Sequence, residues 1–183
     1  GIQPQAIRDY MVATGVKPKD AAFDWDILYQ YNKQHLQHSP HFFFVEDPVE
    51  LQTNIQEQVL QWPTHPGSSQ TRSVHVKNQI FISKKDAERF DGKTVRLKDL
   101  ANVDLPAGKQ SENQDHKNVD KIQWVSDGIQ CVVIEPDGSE HHGIAESAVT
   151  DIESGTVVAF ERYGFARFDR DENGKKIFYF AHP

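Results

Sequence analysis

Apolar residues recur at helical spacing through the first forty positions of the chain. The residues that follow this spacing are Ile7, Met11, Ile27, Leu28, Tyr31 and Leu36. Pro4 suits the first turn of a helix, Gly15 suits a helix end, and Asp24 can cap a second helix with its carboxylate. The pattern therefore predicts two helices, separated by a break at Lys17-Pro18-Lys19-Asp20.

From Phe42 onward the period changes to the alternation that is typical of β-strands. The segments with strand pattern are 42–45, 72–78, 79–82, 94–99, 122–125, 129–134, 140–144, 156–162, 165–169 and 176–181. Pro136-Asp137-Gly138 predicts a hairpin, and Asn173-Gly174 predicts a turn. Short strands divided by turns at ~8–15-residue intervals are typical of β-barrels or sandwiches. The polar stretch near 104–120 is predicted to be an exposed, mobile loop.

Length and composition fit one ordinary domain or two small ones. The 183 residues contain no run near the ~18 apolar residues that span a bilayer, and the chain has no signal segment, so we expect no membrane association. A single cysteine, Cys131, excludes an internal disulfide and a Cys-rich zinc site, and it fits a reducing, cytoplasmic location. Because the chain starts at Gly1 and has one Met, we expect a piece of a longer protein.

The net charge of −7 argues mildly against a nucleic-acid partner, but the charge is unevenly distributed. Residues 72–98 carry eight basic and three acidic side chains, whereas residues 122–183 carry five basic and eleven acidic ones. If an anion binds this chain, we expect it to bind at residues 72–98. A solvated basic face with no partner is an equally weighted alternative.

The sequence supports neither catalysis nor metal binding. The paired carboxylates at 24/26 and 46/47 are equally typical of helix caps and turns, and there is no Gly-rich phosphate loop. Several histidines are closely spaced, but they lack the cysteines or the second ligand pair of a zinc site; they are His35, His38, His41, His141 and His142. We therefore predict no catalytic residue and no metal site.

RNA binding has a physical basis in the residues, because single-stranded loops are recognised by stacking on aromatic or Arg planes and by hydrogen bonds to base edges. Side chains of this kind at strand or loop positions are Arg72, His75, Lys77, Lys121, Trp124, Arg162, Tyr163 and Arg167. Trp124, Phe160 and Phe165 are more typical of a core than of a stacking surface. Composition alone leaves RNA binding a minority hypothesis.

Several segments, taken in order, resemble a known family. They are Gly1-Ile2, Ala6-Ile7-Arg8, Gly15-Val16 with Lys19-Asp20, the run FFFVEDPVEL from Phe42, Pro63-x-His65-Pro66, Trp124-Val125, Gly143-Ile144-Ala145-Glu146 and Phe160-Glu161-Arg162. Together they resemble the C-terminal part of archaeal and eukaryotic-type glutamyl-tRNA synthetases, which glutaminyl-tRNA synthetases share. The span after Trp124-Val125 is shorter than in glutaminyl enzymes of the bacterial kind, which favours the glutamyl enzyme.

The resemblance implies a mainly β fold. We expect a helical subdomain over 1–41, followed over 42–183 by two small antiparallel β-barrels, proximal and distal. The implied function is recognition of the tRNA anticodon as the C-terminal part of a glutamate–tRNA ligase. The catalytic domain would lie upstream, since both nucleotide motifs of the family are absent. The full-length enzyme would use ATP and Mg²⁺, whereas this part would be non-catalytic and would hold no cofactor.

The implied partner is a glutamate-accepting tRNA, with a glutamine-accepting tRNA as a second candidate. By position, Arg72 matches an arginine that reads an anticodon base in the related glutaminyl enzyme. Lys121 and Arg162 match phosphate or base contacts, and Lys77 is added as a cation of the basic segment. Two alternatives stay open at this point: a piece of a glutaminyl-tRNA synthetase, and a non-catalytic β module that binds protein.

Overall fold

The structure, a computed structural model, describes residues 1–15, 22–115 and 117–183. Its helices are α1 (Pro4–Thr14), α2 (Trp25–His35) and α3 (Lys84–Arg89), and residues Ser147–Asp151 form a 3-10 helix. Its strands are β1 (His41–Phe42), β2 (Phe44–Glu46), β3 (Pro48–Gln52), β4 (Gln58–Pro63), β5 (Thr71–Val76), β6 (Gln79–Ser83), β7 (Thr94–Leu97), β8 (Asn102–Asp104), β9 (Lys109–Gln110), β10 (Lys121–Ile122), β11 (Gly128–Ile134), β12 (Glu140–Glu146), β13 (Val157–Phe160), β14 (Gly164–Glu172) and β15 (Lys175–His182). The predicted fold class, mainly β with short helices at the start, is confirmed.

The two N-terminal helices begin and end where their sequence signals predicted. Pro4 is the first residue of α1, and Gly15 follows its end with a left-handed φ of 65°. The Asp24 carboxylate accepts hydrogen bonds from the first-turn N–H groups of α2, at 3.0 and 3.2 Å, which satisfies donors that have no partner within the helix. The predicted break at 17–20 lies outside the described residues.

Seven strands form the first barrel: β1, β2 and β11 to β15. Their order in the sheet is β1-β13-β14-β15-β11-β12-β2, so the two edge strands are consecutive in the chain. Residues 41–46 therefore supply both edges and nearly close the sheet on itself, which leaves few backbone groups without a partner. The predicted hairpin around Pro136-Asp137-Gly138 is confirmed, because β11 and β12 pair along seven residues each.

The second barrel is assembled from three smaller sheets. These are the β3–β6 pair, the β4–β5 pair and the sheet β10-β7-β8-β9, with a single bridge between Phe81 and Val125. They enclose one core, in which Trp124 is buried and donates its indole N–H to the Lys98 carbonyl at 2.9 Å. Most strand pairs are antiparallel, as predicted; among the described residues β1–β13, β7–β10 and β11–β15 are parallel.

The run from Phe42 to Val45 is a wall shared by both barrels. Phe42 and Phe44 belong to the core of the first barrel, whereas Phe43 and Val45 belong to the core of the second. All four side chains are buried, since successive residues of an extended chain point to opposite faces. The apolar run is continuous here because both of its faces are covered. The two barrels pack against this common segment and form one unit.

The helical segment is attached to the first barrel through Asn32 of α2 and His182 of β15, both completely buried. The Asn32 carbonyl oxygen accepts the backbone N–H of Gln3 at 2.8 Å, so its amide nitrogen must face the His182 ring. That nitrogen lies 2.9 Å from His182 Nε2, which must therefore be an unprotonated acceptor. Burial lowers the pKa of His182, in agreement with a neutral ring.

The structure differs from the sequence pattern in several details, and the strands β3, β4 and β8 lie outside the segments predicted as strands. The predicted strand 122–125 is shorter, because β10 ends at Ile122 and only Val125 forms a further bridge. The predicted loop near 104–120 contains the short strand β9, and the buried Asn102 amide donates to the carbonyls of Asn113 and Asp115 at 2.9 Å. The mobility of this loop and the domain boundary at 41/42 stay predictions.

Candidate nucleic-acid interface

Ion pairs join the two barrels at their junction. Arg72 of β5 forms a two-point contact with Glu146 of β12: Nε lies 2.8 Å from Oε2, and Nη2 lies 3.0 Å from Oε1. The Arg72 side chain is 8 % exposed and that of Glu146 is 5 % exposed. A parallel pair of charge-assisted hydrogen bonds of this kind fixes both position and orientation.

A second set of contacts is centred on Glu161, which follows β13. Its carboxylate contacts Lys98 Nζ, and its backbone carbonyl accepts a hydrogen bond from the Gln123 side chain. His41 Nδ1 lies 4.0 Å from the other carboxylate oxygen. Burial lowers the pKa of His41 and outweighs the opposing effect of Glu161, so the ring is neutral at pH 7.

Arg162 lies in the tight turn between β13 and β14. Its φ of 62° is the left-handed conformation, which costs a non-glycine residue about 1 kcal/mol. Its guanidinium reaches the second barrel, where Nη1 lies 3.5 Å from the Asp86 carboxylate and donates to the Lys121 carbonyl at 3.4 Å. The Arg162 side chain is 49 % exposed, so it combines an anchor on the second barrel with access to solvent.

We name the concavity between the barrels the inter-barrel cleft. It encloses about 190 Å³, and its lining includes Ser83, Lys85, Asp86, Arg89, Gln123 and residues 161–163. Three carboxylates in the lining are paired with other side chains: Glu46 with His141, Asp86 with Arg162 and Glu161 with Lys98. Lys85 and Arg89 are exposed at its rim, so the remaining charge there is positive.

A second concavity, which we name the apolar hollow, adjoins the same turn. It encloses about 550 Å³, and its lining includes His41, Pro66, Lys98, Phe160 and residues 162–165. Glu161, Arg162 and Tyr163 line both the hollow and the cleft. The Tyr163 hydroxyl donates to Glu135 at 2.9 Å; burial, with the carboxylate adding to it, raises the pKa of this phenol. Flat apolar surface beside cations suits an unstacked base next to its phosphate.

Chemistry of other kinds is not apparent in the described residues. Within the ranges given above, no group of three or more His, Cys, Asp or Glu side chains is placed to hold a metal ion. Burial raises the pKa of the Cys131 thiol to about 12, which makes it a poor nucleophile. None of the helices described is long and apolar enough to cross a membrane.

Comparison with known proteins finds matches to the residues that form this junction. Two family models match, over residues 39–124 and 121–169, and both describe the anti-codon binding domain of class I tRNA synthetases (E and Q). The chain belongs to this anticodon-binding family. Both concavities are lined almost entirely by residues inside the matched ranges. The main prediction from the sequence, an anticodon-binding region with β-barrel architecture, is confirmed.

Relatives of this anticodon-binding region are glutamate–tRNA ligases of archaea. The chain is 32 % identical to the ligase of Methanobrevibacter smithii over 196 residues, and 34 % identical to that of Pyrococcus abyssi over 203. It is 36 % identical to the ligase of Methanoculleus marisnigri over 199 residues. All of this chain is covered in each case, but it spans only 35 % of each relative's length. The comparisons favour the glutamyl prediction over the glutaminyl alternative.

The four residues that the sequence predicted as tRNA contacts do not form a single cluster. Lys121 and Arg162 are neighbours through the Lys121 carbonyl, and both are exposed. Arg72 lies at the junction but is enclosed by Glu146. Lys77 lies elsewhere on the second barrel and pairs with Asp127 at 2.8 Å, where its side chain is 50 % exposed. Their roles as RNA contacts stay predictions.

The prediction of individual contacts did not include Lys85 and Arg89 at the rim of the cleft. Both lie in α3, which is capped by Ser83 and packs against β3 and β6. A signal for them was present, because both belong to the basic segment 72–98. The segment indicated where an anion would dock, but only the fold shows which of its cations face Arg162.

Proposed function

We propose that this chain binds the anticodon loop of tRNA at the junction of its two barrels, as the anticodon-binding region of a glutamate–tRNA ligase. The observation that carries the proposal is the shared lining of two concavities by Arg162 and Tyr163, one with cations at its rim and one apolar. An anticodon loop presents charged phosphates and unstacked bases within a few ångströms of each other, so it needs both kinds of surface side by side.

In this arrangement the backbone phosphates face Lys85, Arg89 and the exposed part of Arg162. These three cations supply the affinity that depends on salt. A base enters the apolar hollow, where Phe165 and Tyr163 offer ring surface and Lys98 and His41 offer polar groups at the edge. Lys121, which is exposed and adjacent to Arg162, extends the basic surface.

The chain's contribution to the parent reaction is binding and identity checking. The parent ligase would activate glutamate with ATP and Mg²⁺ and transfer it to the tRNA terminus, in a part of the protein outside these 183 residues. Glutamate and glutamine anticodons differ in their third letter. Contacts with that letter would therefore decide whether the parent ligase accepts one tRNA or both.

The proposal is tested by titrating the chain into a fluorescent RNA stem-loop that carries a glutamate anticodon, with anisotropy as the readout. We expect saturable binding that weakens steeply between about 50 mM and about 200 mM salt, with a log–log slope near −2 for about three phosphate contacts to single-stranded RNA. A matched duplex of the same composition, without a loop, should bind more weakly because its bases are stacked and paired.

A third stem-loop, with the glutamine third letter, measures discrimination. Tighter binding of the glutamate loop supports a third-letter contact within this chain, whereas equal binding assigns that choice to the rest of the ligase. The absence of saturable binding at low salt would contradict the proposal and would favour the protein-binding alternative.

A further inference from the structure

The Arg72–Glu146 pair connects three separate segments at one point. Arg72 belongs to the second barrel and Glu146 to the first. The same carboxylate accepts the backbone N–H of Phe43 at 2.6 Å, and Phe43 lies in the wall that both barrels share. Both charged side chains are nearly excluded from solvent. The pair is therefore part of the junction rather than of its surface.

The Arg72 side chain lines two neighbouring concavities, and further protein contacts hold its guanidinium. Its carbon lies 5.6 Å from the ring centres of both Phe42 and Trp62, and Nη1 donates to the Pro63 carbonyl. Each of its three nitrogens thus donates a hydrogen bond to the protein. An Arg so enclosed can contact RNA only if it leaves Glu146. The Glu146 carboxylate would then be unpaired in a nearly dry environment, and a solvated RNA contact does not offset that free-energy cost.

The enclosed pair fixes an element that lines the apolar hollow. Arg72 is anchored to Pro63, at the other end of the loop that joins β4 to β5. That loop carries Pro66 into the lining of the hollow, and its Thr64 carbonyl accepts the backbone N–H of His41 at 2.7 Å. A change at the pair would therefore move one side of the hollow.

We propose that Arg72 is a positioning residue: with Glu146 it forms a buried clamp that holds the 63–70 loop against the first barrel and so shapes the base-binding hollow. This inference rests on the proposed function for its RNA component. It departs from the expectation that Arg72 itself reads a base. The two roles differ most clearly in what Glu146 does, because beside a base reader its charge adds repulsion toward RNA, whereas in the clamp it shapes the hollow.

The test compares Glu146→Gln with Glu140→Gln, a control on the same strand whose side chain is 57 % exposed and pairs only with His142 among the described residues. If the clamp positions the hollow, Glu146→Gln weakens binding of the glutamate stem-loop about tenfold, although it removes a negative charge, and the salt slope stays constant. Arg72→Lys, which keeps the charge but loses the two-point geometry, weakens binding to a similar extent. The double variant is no weaker than either single one.

Nuclear magnetic resonance supplies readouts of the clamp other than RNA affinity, the first of them in the free wild-type protein. The clamp predicts an Arg72 Nε–Hε signal that is protected from solvent exchange in the free protein and persists in the RNA complex. It also predicts that the His65 and Pro66 resonances shift in Glu146→Gln but not in the control, which a loss of stability alone would not produce. If wild-type protein fails to bind RNA, the proposed function fails, and the free-protein signal still tests the clamp.

Two results would overturn the clamp. One is an Arg72 Nε–Hε signal that exchanges rapidly or disappears when RNA is added. The other is equal or tighter RNA binding by Glu146→Gln together with weaker binding by Arg72→Lys, which would identify Arg72 as a direct contact.

Discussion

Single residues at the barrel junction differ in how far they are engaged by the protein itself. Arg72 is 8 % exposed and held on three sides, whereas Arg162 is 49 % exposed and keeps one face toward solvent. Both are arginines beside a carboxylate, and the sequence offers no means of ranking them. Exposure makes Arg162 the residue whose removal should affect RNA affinity most directly.

Arg162→Ala should weaken binding of the glutamate stem-loop by about 1 to 3 kcal/mol and lower the salt slope by about one, because it removes a charge that faces RNA. Arg170→Ala is the matched control, since Arg170 is 45 % exposed and lies on β14 beside Asp169 and Glu172. Anisotropy titrations at two salt concentrations measure both quantities. An equal effect of the two substitutions would place RNA elsewhere.

The sequence indicated where the cationic residues are concentrated, but it did not indicate which of them pair with buried carboxylates. The basic segment 72–98 was recognisable from its charge, and it does contribute Lys85 and Arg89 to the cleft. The pairing of Arg72 with Glu146 joins positions 74 residues apart in the chain, so no local pattern could indicate it. The sequence pattern does not distinguish a charged strand residue that faces solvent from one that faces a buried carboxylate.

Among the elements, the shared wall is the segment that packs into both cores. Phe43→Ala and Phe44→Ala should each lower the free energy of unfolding by about 3 to 5 kcal/mol, because each leaves a cavity in a different core. Since one continuous segment packs into both cores, each variant should still unfold in a single transition. Urea denaturation followed by tryptophan fluorescence and circular dichroism measures both properties.

Val59→Ala is the control for these substitutions, because Val59 lies in β4 with 53 % of its surface exposed. Its effect should stay within about 0.5 kcal/mol. Two separate transitions in Phe44→Ala, with the second barrel unaffected, would contradict the account of a wall common to both barrels.

The attachment of the helical segment predicts a dependence of stability on pH. His182 Nε2 must accept from Asn32, and burial lowers the pKa of the ring, so the unfolded chain binds a proton more readily than the folded one. The stabilising contribution is complete above the ordinary histidine pKa of about 6.5 and is lost as the pH falls below it. Urea denaturation of wild type at about pH 7.5 and about pH 5 should show lower stability in acid.

His182→Gln keeps an acceptor for Asn32 without a titrating group, so it should show a smaller loss between the two pH values. The comparison is made between the two proteins, because the Glu46 carboxylate accepts a hydrogen bond from His141, raises the pKa of that histidine and acts in the opposite direction in both. An identical pH dependence in wild type and variant would show that His182 does not carry the effect.

Element identity was largely predictable because it depends on local chemistry. The helix starts at Pro4 and after Asp24 and the hairpin at 136–138 follow from side chains that stabilise a backbone geometry within a few residues. The double burial of Phe42–Val45 did not follow, since an apolar run indicates burial but not the number of cores it serves. The order of the strands in the first barrel depends on pairings between residues 97 to 118 positions apart in the chain.

At the scale of the whole molecule, two barrels share a wall and are clamped by charged pairs, and two concavities at their junction share a lining turn. This arrangement places Arg162 and Tyr163 between a surface suited to phosphate and a surface suited to a base. The proposed RNA site therefore lies on one face of the molecule.

The most direct measurement is a map of the RNA footprint by chemical-shift perturbation, with isotope-labelled protein and the glutamate anticodon stem-loop. The account predicts that the largest changes occur at Lys85, Arg89, Arg162, Tyr163 and Phe165, with saturation at the anisotropy midpoint. It also predicts little change on the outer surface of β14 and β15 near Arg170. A footprint centred on that outer surface, or on Lys77 alone, would contradict the central claim.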